Sequence, residues 1–158
     1  MAPLLGSVAL LLLGVGLLNT FLAVQAAAMG WAPLVIGGVM SAYFIGYGCG
    51  TFATSFLIRR TGHIRAFAVF AALASCTVIG HALTDAAWAW ALLRVLTGAS
   101  LVGLYAVTES WQAAEATGSE RGRFFAAYMV VNLLALAAGQ FLMALAPSDA
   151  FVLFGVIT

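Results

Sequence analysis

The sequence predicts an all-α integral membrane protein with several antiparallel spans. Of its 158 residues, 65% are hydrophobic and 7% charged, whereas a soluble domain carries about 25% charged residues to cover its surface. The apolar residues gather into long runs, and about 20 of them in a helix cross a bilayer. Short polar segments separate the runs and hold nearly all of the charge.

The first run, residues 4–27, is broken only by Ser7, Asn19, Thr20 and Gln25. With no Lys or Arg before it and a run too long for a signal-peptide core, it reads as a retained span. Met29-Gly30-Trp31-Ala32-Pro33 supplies a turn, an interfacial aromatic and a proline to start the next helix. Span two, 34–58, is glycine-rich, and Gly46 and Gly50 stand one turn apart, a spacing that lets helix backbones approach closely. Span three covers 66–83. The very short Thr84–Ala87 turn then makes span four, 88–110, its antiparallel neighbour, with Trp88 and Trp90 at one interface and Trp111 at the other. Span five covers 124–145. A sixth begins at 150 and stops at 158, about 13 Å of helix against a core about 30 Å thick. The sequence thus reads as cut off inside a helix, a piece of a longer chain or the product of a truncated gene. Cys49 and Cys76 lie within apolar runs and read as packed free thiols.

Arg59-Arg60-Thr61-Gly62-His63-Ile64-Arg65 organises the topology. With Arg121 and Arg123 it places five of the six basic residues on two loops of the same side, while the opposite loops carry Asp85 and Asp149. The positive-inside rule then makes both basic loops and the N-terminus cytoplasmic. A net charge of +1 held in short loops gives no nucleic-acid surface.

Ionisable residues inside a span are costly and point to function. Span four has two, Arg94 and Glu109. At about 100° per residue, Arg94, Gly98, Val102, Tyr105 and Glu109 share one face, which must look into protein or a wet cavity. Arg94 is expected in a cavity or an internal ion pair. It suggests an anionic or zwitterionic solute, though a structural pair would explain it equally. Glu109 is the acid nearest membrane depth, hence the candidate proton carrier, with a helix-end cap as the plain alternative. Asn19 and Gln25 on span one and Tyr128, Asn132 and Gln140 on span five either pin helices or meet a solute. Tyr43 and Tyr47 could line the same cavity, and His81 and Asp85 form a possible local pair. No enzyme is expected. Gly98-Ala99-Ser100-Leu101 lacks the second glycine and the later histidine of a serine protease, and no spacing makes a metal or cofactor site.

The inside N-terminus, the expected six spans and the basic loop after span two resemble the N-terminal half of a major facilitator superfamily transporter. Arg60, Gly62 and Arg65 fit that family's loop signature, with Ser55 and Arg59 replacing its glycine and aspartate. Arg94 and Gly98 fit its fourth-helix motif. Leu18-Asn19-Thr20, Tyr43-Phe44-x-Gly46, Glu109-Ser110, Arg121-Gly122-Arg123-x-x-Ala126-Ala127-Tyr128-Met129 and Gly139-Gln140 resemble its YcaD-type branch. The resemblance implies the six-helix N-terminal bundle of a two-half transporter, with its sixth helix incomplete and the C-terminal half missing, in a bacterial inner membrane. It implies a small-solute and proton pathway through Asn19, Gln25, Arg94, Tyr105, Glu109, Tyr128 and Asn132. The cytoplasmic gate would be Arg59, Arg60, Gly62, Arg65, Arg121 and Arg123, and Gly46, Gly50 and Gly98 would pack helices. The competing expectation is a small non-transporting membrane protein that dimerises through Gly46 and Gly50 or scaffolds a partner.

Overall fold

The computed structural model describes residues 2–115 and 120–145. They form five helices: α1 Ala2–Ala28, α2 Pro33–Thr61, α3 His63–Ala82, α4 Ala87–Glu115 and α5 Glu120–Leu145. Each contains a stretch long and apolar enough to cross a membrane. The expected fold class thus appears as five helices rather than six, because 150–158 lie outside the described residues, as does the 147–149 turn. In hydrocarbon every backbone N–H and C=O must find a partner within the chain, and a helix satisfies them locally whatever its side chains.

The helices extend beyond the apolar runs. Arg59 and Arg60 belong to the last turn of α2 and Arg65 to the first turn of α3. The basic stretch is therefore two helix ends meeting at Gly62 rather than a loop. Gly62 has φ +79° and ψ 168°, a conformation open essentially to glycine alone. Its N–H caps Ile58 O at 2.9 Å, and its own carbonyl accepts from Ala66 N at 3.1 Å, so one residue ends α2 and starts α3. Arg59 Nε donates to Ser55 O at 3.1 Å, and the Arg60 guanidinium lies 4.9 Å from the Phe56 ring centroid. Both cations sit at the negative end of the α2 dipole.

The chain divides into two compact units, one built on α1 and α5, the other running from Trp31 to Ala114 and holding α2, α3 and α4. In the first, the α1 and α5 backbones touch: a Cβ on Gly16 would stand 2.5 Å from Leu136 O, and one on Gly139 would strike the Leu13 carbonyl. Leu12, Leu17, Leu18, Phe21 and Leu22 of α1 are buried.

In the second unit α4 packs on both α2 and α3. Gly46 faces Val95 and Gly50 faces Ala99, so both chains advance four residues between contacts and α2 and α4 run parallel. A Cβ on Gly46 would collide with the Val95 carbonyl, and one on Gly50 would stand 2.6 Å from Ala99 Cα. One on Gly98 would strike the Tyr43 carbonyl. Along α3 the pairing reverses: Phe70 meets Gly103, Thr77 meets Thr97 and Gly80 meets Leu93. That register is antiparallel, as the short turn requires. Trp90 Nε1 braces this turn by donating to Thr84 O at 2.7 Å.

Two expectations are corrected. Trp90 is not an interfacial anchor: Trp88 is 72% exposed, but Trp90 is 1% exposed and edge-on to Trp31 at 5.1 Å. Adjacent tryptophans two positions apart point to different sides of a helix, and only one can reach lipid. Cys49 and Cys76 are free but exposed rather than packed. The outward surface otherwise carries large apolar side chains, among them Phe44, Phe52, Leu133 and Phe141.

Valine at Gly46 or Gly98 is expected to destabilise the second unit by on the order of 1–3 kcal/mol through overpacking. Alanine at Gly37 or Gly48, where an added Cβ would meet nothing within 4 Å, is expected to leave stability unchanged. Thermal unfolding in detergent, followed by far-ultraviolet circular dichroism, compares the four variants.

Candidate functional site

Among the buried polar residues of the second unit, His81 and Arg94 lie toward the end of the bundle where α3 turns into α4, whereas Thr54 and Thr108 lie toward the other end. Position 80 on α3 lies beside position 93 on α4, so His81 and Arg94 share a level, while Tyr43 reaches the same level from α2. Three helices thus each contribute one polar or aromatic side chain to a single layer.

Arg94 is 3% exposed. Its guanidinium carbon lies 4.9 Å from the Tyr43 ring centroid, a cation–π contact. It makes no ion pair with any described residue, and its Nε and Nη1 are buried without a hydrogen-bond partner. The face shared by Arg94, Gly98 and Val102 therefore looks into protein. Gly98 gives up its side-chain space to the Tyr43–Tyr47 backbone, and Val102 packs against Gly50. The internal ion pair expected for Arg94 is replaced by stacking on a phenol. Tyr43 also packs at 6.0 Å from Tyr47, which is exposed.

His81 is 2% exposed. Its Nδ1 lies 2.6 Å from Thr77 O. A carbonyl only accepts, so Nδ1 carries the proton and Nε2 of the neutral ring is an acceptor. Nε2 is buried and has no partner. The ring stands edge-on to Trp90 at 5.3 Å, so His81 is held by α3 and Trp90, while Asp85 is exposed on the turn. Below it, Thr77 donates to Ala74 O at 2.7 Å and accepts from Thr97 at 3.0 Å. The two hydroxyls meet across the α3–α4 interface, and each also has a carbonyl on its own helix, Ala74 O for Thr77 and Leu93 O at 2.8 Å for Thr97, so neither is left unsatisfied there.

The other expected positions fall on α1, α4, α5 and the basic helix ends. Asn19 and Gln25 are half-buried on α1, Tyr105 is half-buried on α4 and Glu109 is exposed near its end. On α5, Tyr128 is 2% exposed. Asn132 turns its amide back to Tyr128 O at 3.0 Å, a local contact rather than a pin between helices. Gln140 is exposed on the same helix. Arg59, Arg60, Arg65 and Arg123 are exposed, and Gly62 joins the two helix ends that carry the first three. The Arg121 side chain lies outside the described residues.

Sequence reasoning missed the meeting of His81 with the Arg94 layer. The available signal was the very short turn, which forces α3 and α4 to pair antiparallel about Asp85 and so brings 81 near 93.

Five bilayer-length helices with apolar outward faces and a charged group enclosed among three of them define a multi-pass α-helical membrane protein. Over 140 residues the chain is 31% identical to an uncharacterized MFS-type transporter of Enterobacter sp. (strain 638), covering 89% of this chain and 37% of that protein. It is 31% identical over 133 residues to the uncharacterized MFS-type transporter YcaD of Salmonella newport (strain SL254), covering 84% and 35%. YcaD of Escherichia fergusonii gives 31% over 139 residues, covering 88% and 36%. No protein-family model matches the chain, and no solved structure matches it significantly. The chain is a homologue of the YcaD-type transporters of the major facilitator superfamily, and it spans little more than a third of these relatives' length.

If Tyr43 holds Arg94 through its ring face, Tyr43→Phe should keep stability and Tyr43→Leu should lose on the order of 0.5–2 kcal/mol. Thermal unfolding of the two variants in detergent measures the difference.

Proposed function

We propose that the chain is the N-terminal part of a secondary transporter that moves a small solute across a bacterial inner membrane by alternating access. The observation that carries this reading is the 31% identity to MFS-type transporters over 89% of the chain, joined to five apolar helices, three of which enclose a charged side chain. The remaining length of such a transporter would supply the second half of the pathway. Asn19, Gln25, Tyr105, Tyr128 and Asn132 are the solute-facing candidates. Glu109 is the candidate proton carrier, which would make the transport proton-coupled. Arg59, Arg60, Arg65, Arg121 and Arg123 form the cytoplasmic gate about the Gly62 hinge.

One observation weighs against the alternative of a small dimerising protein. Gly46 and Gly50 are buried against Val95 and Ala99 of α4, so the small-residue face that a second copy would need is covered within the chain.

Two measurements test the reading. Alkaline phosphatase fused after Asp85 is expected to be active and after Thr61 inactive; the reverse pattern would overturn the proposed orientation. Uptake of solutes found in a proteoliposome screen of the full-length transporter is expected to lose its pH dependence in Glu109→Gln, and unchanged pH dependence removes Glu109 from proton coupling.

A further inference from the structure

Arg94 and His81 present complementary needs at one level of the second unit. The guanidinium is a permanent cation with two buried nitrogens that have no acceptor, and the imidazole has a buried acceptor, Nε2, that has no donor. An uncompensated charge at this depth is costly, and stacking on Tyr43 offsets only part of that cost. No acid of the described part of the unit can neutralise Arg94. Glu109 lies fifteen residues along the same helix, about 22 Å away, and Asp85 is exposed on the turn.

Position 80 lies against Leu93, and the His81 ring stands 5.3 Å from Trp90, one turn before Arg94 on α4, so the imidazole lies at the level of the guanidinium. A single small group that accepts from Arg94 and donates to His81 would satisfy all three atoms. Trp90 packs edge-on to the His81 ring and Tyr43 stacks on the Arg94 guanidinium, so both groups lie against aromatic side chains.

We propose that Arg94 and His81 recognise a small carboxylate that bears a hydrogen-bond donor on its α carbon, as α-hydroxy and α-amino acids do. The carboxylate accepts from the Arg94 fork, and the α-hydroxyl or α-ammonium donates to His81 Nε2. The proposal rests on the transporter reading for its claim that this carboxylate is the transported solute. The binding site itself rests only on the geometry of α2, α3 and α4.

The test is equilibrium dialysis of the purified chain in detergent with radiolabelled L-lactate, L-alanine and acetate, and with methyl lactate as a neutral competitor. Lactate and alanine are expected to bind saturably, acetate about tenfold more weakly for want of one hydrogen bond to a buried acceptor. Methyl lactate should not compete. Arg94→Gln should lose all binding. His81→Leu should lower lactate to the acetate level and leave acetate unchanged.

Absence of saturable binding to the wild-type chain overturns the proposal, as does binding that survives Arg94→Gln. Equal affinity for lactate and acetate in the wild type removes His81 from recognition. Should Arg94→Gln fail to fold, Arg94→Lys serves in its place: it keeps the charge but loses the fork, and unchanged lactate affinity would overturn the role of the guanidinium. Uptake by the full-length transporter separates the two readings. Transport confined to solutes without a carboxylate, insensitive to Arg94→Gln, removes this inference and leaves the transporter. Lactate binding without movement of any solute removes the transporter and leaves the site.

Discussion

The second unit depends on the close approach of α2 and α4. Lipid tails are as apolar as leucine, so burial of apolar surface gives these helices little reason to associate within a bilayer. Association must come from contact between backbones, and that needs positions without side chains. Gly46 and Gly50 on one helix and Gly98 on the other provide them. The same approach brings Tyr43 over Arg94. Packing and electrostatics are therefore one construction here: the glycine notch that admits the neighbouring helix also delivers the aromatic face that stabilises a buried cation.

The α3–α4 pair is held by a different device. The turn is too short to allow any arrangement but an antiparallel hairpin, and the Thr77 and Thr97 hydroxyls meet across it at 3.0 Å. Trp90, braced on Thr84 O, closes the end of the hairpin over His81. His81 is consequently held in one tautomer by its own helix while its second nitrogen is buried without a hydrogen-bond partner. The first unit repeats the backbone-contact solution with Gly16 and Gly139.

Much of this was legible in the residues. The spans, their approximate ends and the parallel or antiparallel sense of neighbours in the second unit follow from run lengths and turn lengths alone. Gly46 and Gly50 were readable as packing positions from their spacing. The Arg59–Arg65 stretch misled in one respect, because hydropathy marks where lipid ends, not where a helix ends. Charged residues cannot enter hydrocarbon, yet they continue a helix readily in water, and only Gly62 interrupts it. The role of Trp90 was unreadable for a related reason: an aromatic at a helix start faces lipid or protein according to the rotation of the helix about its axis.

What the sequence by itself determined is the membrane class, the succession of helices and the presence of a cation, Arg94, that no lipid could accommodate. Composition and run length suffice for these because bilayer thickness and backbone hydrogen bonding admit few solutions. Only the tertiary structure decided what Arg94 faces. Helix periodicity places Arg94, Gly98 and Tyr105 on one side of α4 but carries no information on which neighbour that side meets. The pairing of Gly98 with Tyr43, and of position 93 with position 80, set it against a phenol and at the level of a histidine rather than against an acid. These contacts join residues far apart in the chain, and short-range pattern cannot specify them.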